Sequence, residues 1–310
     1  MGIRGLLKKR RFKMSGISTN RTDITLPSEV SQEILAKTQE GSAIMRLARQ
    51  IALPGRGATI PVITSDPEAA WVAETASKPV SNPGLSTKIM AAYKLAVIVP
   101  FSDEFRRDAA TLYDEIVRRI PNALAKKFDA TVLGAVSKPG DNFDNFASCT
   151  AQSLSSDAYA GLVAADTDIA THGAILNGFA LSPQAKGVLL AACDDNGRPL
   201  FINSVAEGAI PQILGAPTYI NSGLYKAGSA ASGADPAVPN IVGIAGDWNK
   251  ALYGTVEGVK VAYSADATLD LGSETVVNLF QQNMFALRAE IEIGFRADTS
   301  AFNLLTTAVS

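Results

Sequence analysis

The side chains that could do chemistry in this sequence are few, and their spacing works against it. His172 is the single histidine in 310 residues, so a catalytic zinc site built on two or three imidazoles has no ligand set. No serine or cysteine near it lies in a nucleophile-elbow pattern, which leaves His172 as a helix-end or packing residue. Cys149 and Cys193 are far apart in the chain, and joining them to His172 around a metal would need three unrelated loops to converge. Two such cysteines read as small buried side chains of a reduced compartment. The acid pairs Asp194/Asp195 and Glu290/Glu292 fall in a turn and on a strand face, without histidine support for a metal. The "GRG" of Gly55 to Gly57 lacks the third glycine of a dinucleotide loop and precedes a strand, so it reads as a turn. These residues predict no catalytic site, no metal and no cofactor, and the chain reads as something other than an enzyme.

Charge is distributed with more purpose. Residues 1–21 hold seven basic residues, namely Arg4, Lys8, Lys9, Arg10, Arg11, Lys13 and Arg21, and no acid. The rest of the chain keeps 21 basic residues against 30 acidic ones, a net charge of −9. A basic arm on an acidic body suits contact with nucleic acid, because each neutralised phosphate releases counterions. With 47% hydrophobic residues, the length suffices for about two domains. No run reaches the eighteen apolar residues of a membrane helix, and no apolar stretch follows the N-terminal charges as in a signal peptide.

The elements follow from periodicity. "LPSEVSQEILAKTQEGSAIMRLARQI" predicts a helix opening near Ser28 and broken at Gly41, then a second helical stretch with Ile44, Leu47, Ala48 and Ile51 on one face. "GATIPVI" is a short strand. "LSTKIMAAYKLAVIV", Leu85 to Val99, reads as one long strand with Ile89, Tyr93, Leu95, Val97 and Val99 on one side and Lys88 and Lys94 on the other. With the strand before Asp66 it forms a hairpin whose arms run for about 10 to 15 residues. Between the arms lies "DPEAAWVAETASKPVSNPG", too polar and proline-broken for a core, yet carrying Trp71. A two-stranded ribbon is marginal in water unless something covers it, so Trp71 needs a neighbour.

A long helix follows, with Phe105, Ala109, Leu112 and Ile116 as its stripe and Pro121 expected to kink or interrupt it. Short helices and strands then alternate over residues 156–270, with "DDNGRPLF" turning into a strand. "MFALRAEIEIGFR" closes the pattern as a strand with Phe285, Leu287, Ala289, Ile291, Ile293 and Phe295 against Arg288, Glu290, Glu292 and Arg296. The simplest arrangement joins the N-terminal and C-terminal strands in one domain and inserts residues 151–270 as a second.

Read in order, "SAIMRLARQI", "ATIPVI", "AAWVAETASKPVSN", "KLAVIVPFSDEFRRDA", "FDATVLGA", "LSPQAKGVLLAACDDNGRPLF", "LGAPTYIN", "IVGIAGDWNKALYG" and "FQQNMFALRAEIEIGFRADTSAFNLL" resemble the major capsid protein of tailed bacteriophages, the Hong Kong 97-type shell family. The resemblance covers about residues 25–306 and rests on the order of the segments, since no one of them is specific. It implies an α+β fold of the Hong Kong 97 type. Residues 1–24 would be a basic N-terminal arm, 25–53 an N-terminal helical segment and 54–100 an extended β-hairpin loop. Residues 101–150 and 271–310 would form a peripheral domain with a spine helix from Asp103 to Ala135. Residues 151–270 would form an axial domain meeting its copies around five-fold and six-fold axes.

The same resemblance implies Trp71, Glu74, Lys78, Lys88, Tyr93, Arg106 and Arg107 as subunit-interface residues, with Trp71 on a neighbour's spine helix. It implies an arm of Arg4, Lys8, Lys9, Arg10, Arg11 and Lys13 facing packaged double-stranded DNA. The partners are then copies of the chain in hexamers and pentamers, a separate scaffolding protein, a portal, a cement protein in some members, and no membrane. The place is the virion capsid, assembled in the host bacterial cytoplasm. Lys78, Lys88 and Asn303 lie where some relatives cross-link lysine to asparagine, but nothing local specifies that reaction. The rival readings are an encapsulin-like nanocompartment shell, which shares the fold, and an unrecognised cytosolic enzyme, against which the near absence of histidine counts.

Overall fold

The computed structural model of the chain describes residues 28–309 apart from 56, 66–70, 73–83, 105–108, 195, 202–211, 233–235, 271 and 273–275. Helix α1 (Ser28–Gly41) and helix α2 (Ala43–Leu47) meet at Ser42, whose hydroxyl caps α2 by accepting from the Met45 N–H at 3.0 Å. Such a side-chain acceptor satisfies an amide that the helix start leaves orphaned. Ile51, expected on the second helix, lies instead in β1 (Arg49–Ala52), which pairs in parallel with β10 (Ala251–Thr255). A ladder partner two hundred residues away overrides local helical periodicity.

The first sheet is built around the fourteen-residue β14 (Met284–Ala297). One edge of β14 carries β10 and then β11 (Lys260–Ser264); the other carries β4 (Tyr93–Ser102), antiparallel from Tyr93↔Ile293 to Ser102↔Met284. The six apolar residues expected on the inner face, from Phe285 to Phe295, are all buried. Helix α3 (Ala109–Leu133) is about 37 Å long at helical rise. Its buried residues Ile120, Leu124, Phe128 and Val132 recur every four positions. It runs unbroken through Pro121, against the expected interruption. Pro121 is itself buried, and packing of an apolar face outweighs the lost donor.

The second sheet has the order β5 (Thr150–Ser153), β15 (Phe302–Thr307), β9 (Asn240–Gly246), β6 (Gly178–Leu181), β8 (Ala216–Ile220) and β7 (Gln212–Ile213). Helices α4 (Ala158–Thr171) and α5 (Pro183–Ala191) connect β5 to β6 and β6 to β8. Asp157 caps α4 by accepting from the Tyr159 and Ala160 N–H groups, and Ser182 caps α5 ahead of Pro183. Strand pairing divides the chain elsewhere than the expected boundary at 270/271. β10 and β11 pair with β14, whereas the C-terminal β15 lies inside the second sheet between β5 and β9. Phe146 links the two sheets, its ring 5.6 Å from Phe295 of β14 and 4.5 Å from Phe302 of β15.

Two further expectations change. The long strand from Leu85 to Val99 is two strands, β3 (Gly84–Met90) and β4, separated at Ala91 and Ala92. β3 pairs with β2 (Ala58–Ser65) as the predicted hairpin, while β4 leaves for β14. The break shifts the alternation, so Met90 is buried and Ile89 is exposed. The segment after the Asp194–Gly197 turn makes a single bridge, Cys193 to Pro199, rather than a strand. A short ribbon of β12 (Thr268–Asp270) and β13 (Val276–Asn278) completes the described elements.

Candidate functional site

The root of the β2–β3 hairpin is where the sequence has been shaped most closely to its neighbours. Gly254 and Gly294 are cross-strand partners in β10 and β14. A Cβ on Gly294 would lie 2.6 Å from the Ala91 carbonyl oxygen and 2.9 Å from Met90 Cγ; one on Gly254 would lie 2.4 Å from Leu53 Cγ. Only glycine lets the two chains at the hairpin base lie this close to the sheet. Met90 is thereby fully buried, which fixes the chain where the hairpin joins the body.

A polar clamp closes over the same seat. The Arg296 guanidinium donates through Nε (2.8 Å) and Nη2 (2.6 Å) to the Ile89 carbonyl, through Nη1 to Asp144 Oδ1 (2.7 Å), and through Nη2 to Asn142 Oδ1 (2.9 Å). The other Asp144 oxygen accepts from the Ala297 N–H at 3.2 Å and lies 3.7 Å from Lys88 Nζ. Lys88 Nζ also donates to the Ala297 carbonyl at 3.2 Å. Tyr93 Oη accepts from the Asn142 N–H at 3.3 Å. With its side chain 11% exposed, Arg296 uses the planar fork of its guanidinium to reach a carbonyl and a carboxylate together, which the point charge of a lysine cannot match.

Two of the sequence-derived interface residues, Lys88 and Tyr93, thus stand in this clamp inside their own chain. Trp71 is 105% exposed. Glu74, Lys78, Arg106 and Arg107, and the arm residues Arg4, Lys8, Lys9, Arg10, Arg11 and Lys13, lie outside the described residues, as do Phe105 and the side chains of the expected stripe at Ala109, Leu112 and Ile116. Sequence reading missed Arg296, Asp144 and the glycine pair. The signal for the glycines was present, since a glycine within a strongly alternating strand marks a close approach.

A second polar site joins α1, α2 and α3. Asp129 of α3 accepts from the Ser42 hydroxyl at 2.5 Å and from the Ala43 N–H at 3.0 Å. Burial pushes its carboxyl up to about 7, against the lowering by those hydrogen bonds and by the Ile44 N–H. The α1–α2 junction is therefore held by a carboxyl group with no charged partner among the causes of its shift.

The residues that could do chemistry are not brought together. His172 caps the end of α4, its Nδ1 2.9 Å from the Asp168 carbonyl. Both cysteines are free; Cys193 is exposed, contrary to the expected burial, because it lies where α5 gives way to a surface turn. Burial and the nearby Asp298 push the Cys149 thiol up to about 12, away from nucleophilic character. Among the described residues no group of three His, Cys, Asp or Glu could hold a metal, and no helix is long and apolar enough to cross a membrane.

A clamped hairpin, a long helix laid along one sheet and a second sheet sharing its core describe a structural subunit shaped to meet other chains. The model of the phage capsid family matches residues 22–306. The chain belongs to that family and is a capsid shell protein with the Hong Kong 97-type fold. It is 26% identical over 303 residues to a probable major capsid protein of Mycobacterium phage D29, covering 92% of this chain and 91% of that one. A probable major capsid protein of Mycobacterium phage L5 is 27% identical over 305 residues, covering 91% and 89%. Among solved structures, a chain from Gordonia phage Cozz superposes with a TM-score of 0.65 at 22% identity, covering 87% of each chain.

Proposed function

We propose that the chain tiles with its own copies as hexamers and pentamers into an icosahedral shell, and that its β2–β3 hairpin lies across an adjacent copy. The observation that carries this reading is the contrast along the hairpin. Its base is clamped by Arg296 and seated on two glycines, while Trp71 is wholly exposed. An exposed tryptophan on a ribbon fixed at its base is a large apolar surface held ready for a partner. Trp71 then packs on the α3 helix of the neighbouring copy, with Glu74, Lys78, Arg106 and Arg107 supplying polar contacts at the rim.

The sheet around β14, with α3, serves as the peripheral domain. The six-stranded sheet, β15 included, serves as the axial domain. The names of the related proteins support a phage capsid over a nanocompartment or an enzyme. Double-stranded DNA fills the shell, met by the basic arm, and assembly takes place in the host cytoplasm with a separate scaffolding protein and a portal. Trp71→Ala should give a folded protein that forms no shells in negative-stain images; normal particles from that variant would overturn the hairpin contact. Trimming residues 1–13 should lower the nuclease-protected DNA per particle.

A further inference from the structure

The six-stranded sheet ends in β5 on one side and in the β7–β8 pair on the other, and both ends expose apolar side chains. On the first, Tyr159 (50% exposed) and Val163 of α4 line an open groove with Gln152 of β5. The opposite face of α4 is buried through Ala158, Leu162, Ala165 and Ile169. A helix apolar on both faces is one that is covered on both faces in its working state. At the far end, Leu214 in the β7–β8 turn and Ile220 (41% exposed) at the end of β8 stand out to solvent.

The two ends also differ in charge. The α4 end carries Asp157, Asp166 and Asp168, and no lysine or arginine occurs between Lys138 and Lys186. Beside β8 the exposed Arg46 holds its guanidinium 4.1 Å above the Tyr219 ring. The levels of the two ends match as well. β5, β15, β6 and β8 all run in the same direction, because β5 is parallel to β15, β15 and β6 are each antiparallel to β9, and β8 is parallel to β6. The first turn of α4, reached just after β5 ends, therefore lies toward the same end of the sheet as Ile220. Two unlike, complementary surfaces at one level can meet by pure rotation about an axis along the strands, which closes a ring; a rise along that axis would wind a filament.

We propose that the α4–β5 edge of one copy receives the β7–β8 edge of the next, head to tail, so that Tyr159 and Val163 pack against Leu214 and Ile220 while the α4 acids face Arg46. This rests on the shell reading and assigns the ring contact within it. Each copy uses both edges, and the contact is not a symmetric pairing of like surfaces.

Tyr159→Asp and Leu214→Asp test it with little risk to the fold. An acid in the first turn of a helix is favourable, and Leu214 sits at φ 50°, a left-handed angle that aspartate tolerates better than leucine. Each variant should keep the wild-type melting temperature yet form no rings by sedimentation. Together in one preparation they should form two-chain species through the one intact contact, with no closed rings. Val163→Glu and Ile220→Glu repeat the test with a second pair. Rings from any one of these variants at wild-type yield, or no two-chain species from the mixed pairs, would overturn the assignment. Wild-type protein that stays a single chain would instead sink the shell reading itself.

Discussion

The base of the β2–β3 hairpin and Trp71 belong to one extended loop but obey opposite rules. At the base every polar group near Arg296 has a partner within the chain, and the one large apolar side chain, Met90, is fully buried. At Trp71 the largest side chain of the loop meets solvent on all sides. The base is optimised for the stability of the single chain and Trp71 for what the chain meets. Changes at the base should therefore appear as lost stability, and changes at Trp71 as lost assembly with stability intact.

The largest effect on stability should come from closing the seat. Gly294→Leu drives a side chain into Ala91 and Met90, where neither backbone can move away cheaply, and should lower the unfolding free energy by about 3 kcal/mol or more in urea titrations. Arg296→Ala comes next. It leaves Asp144 and the Ile89 carbonyl without their partner in a half-dry setting and should cost about 3 kcal/mol, read as a shift of the same midpoint. Lys88→Ala removes only a partly exposed ion pair and should cost below about 1 kcal/mol. Trp71→Ala should fall within about 0.5 kcal/mol of wild type while abolishing shells. A large stability loss there would mean that the tryptophan serves its own chain, and the contrast would collapse.

Asp129 sharpens the comparison from a third place. Its carboxyl titrates at about 7 when folded and near 3.8 when unfolded, so the folded chain holds the proton more tightly. That contribution to stability is complete below about pH 3.8 and fades as the pH rises through 7. Melting temperatures measured across that interval should fall more steeply for wild type than for Asp129→Asn, which has no proton to lose. An identical slope in both would show that the junction of α1 and α2 takes no part in the pH response.

Much of this was legible from residue order alone. The alternation from Phe285 to Phe295 marked the inner face of β14 correctly, the Gly41 break between the two first helices is real, and the shell family followed from the succession of segments. Periodicity works for these because each element buries one face against whatever lies below it, and the pattern needs no knowledge of the partner. Where the chain changes sheet within a few residues, that knowledge is lost. Ala91 and Ala92 carry no turn signal, so β3 and β4 read as one strand and Met90 went unnoticed.

Taken by itself, the order of residues settles which segments are helix or strand, that the charge is divided between a basic arm and an acidic body, and that histidine-based chemistry is absent. The tertiary structure alone decides that β15 completes the sheet containing β5 and β9, that Gly254 faces Gly294, and that Arg296 closes on Ile89 and Asp144. Those pairings join residues up to two hundred positions apart, and strand ladders and hydrogen-bond geometry, rather than any local preference, select them.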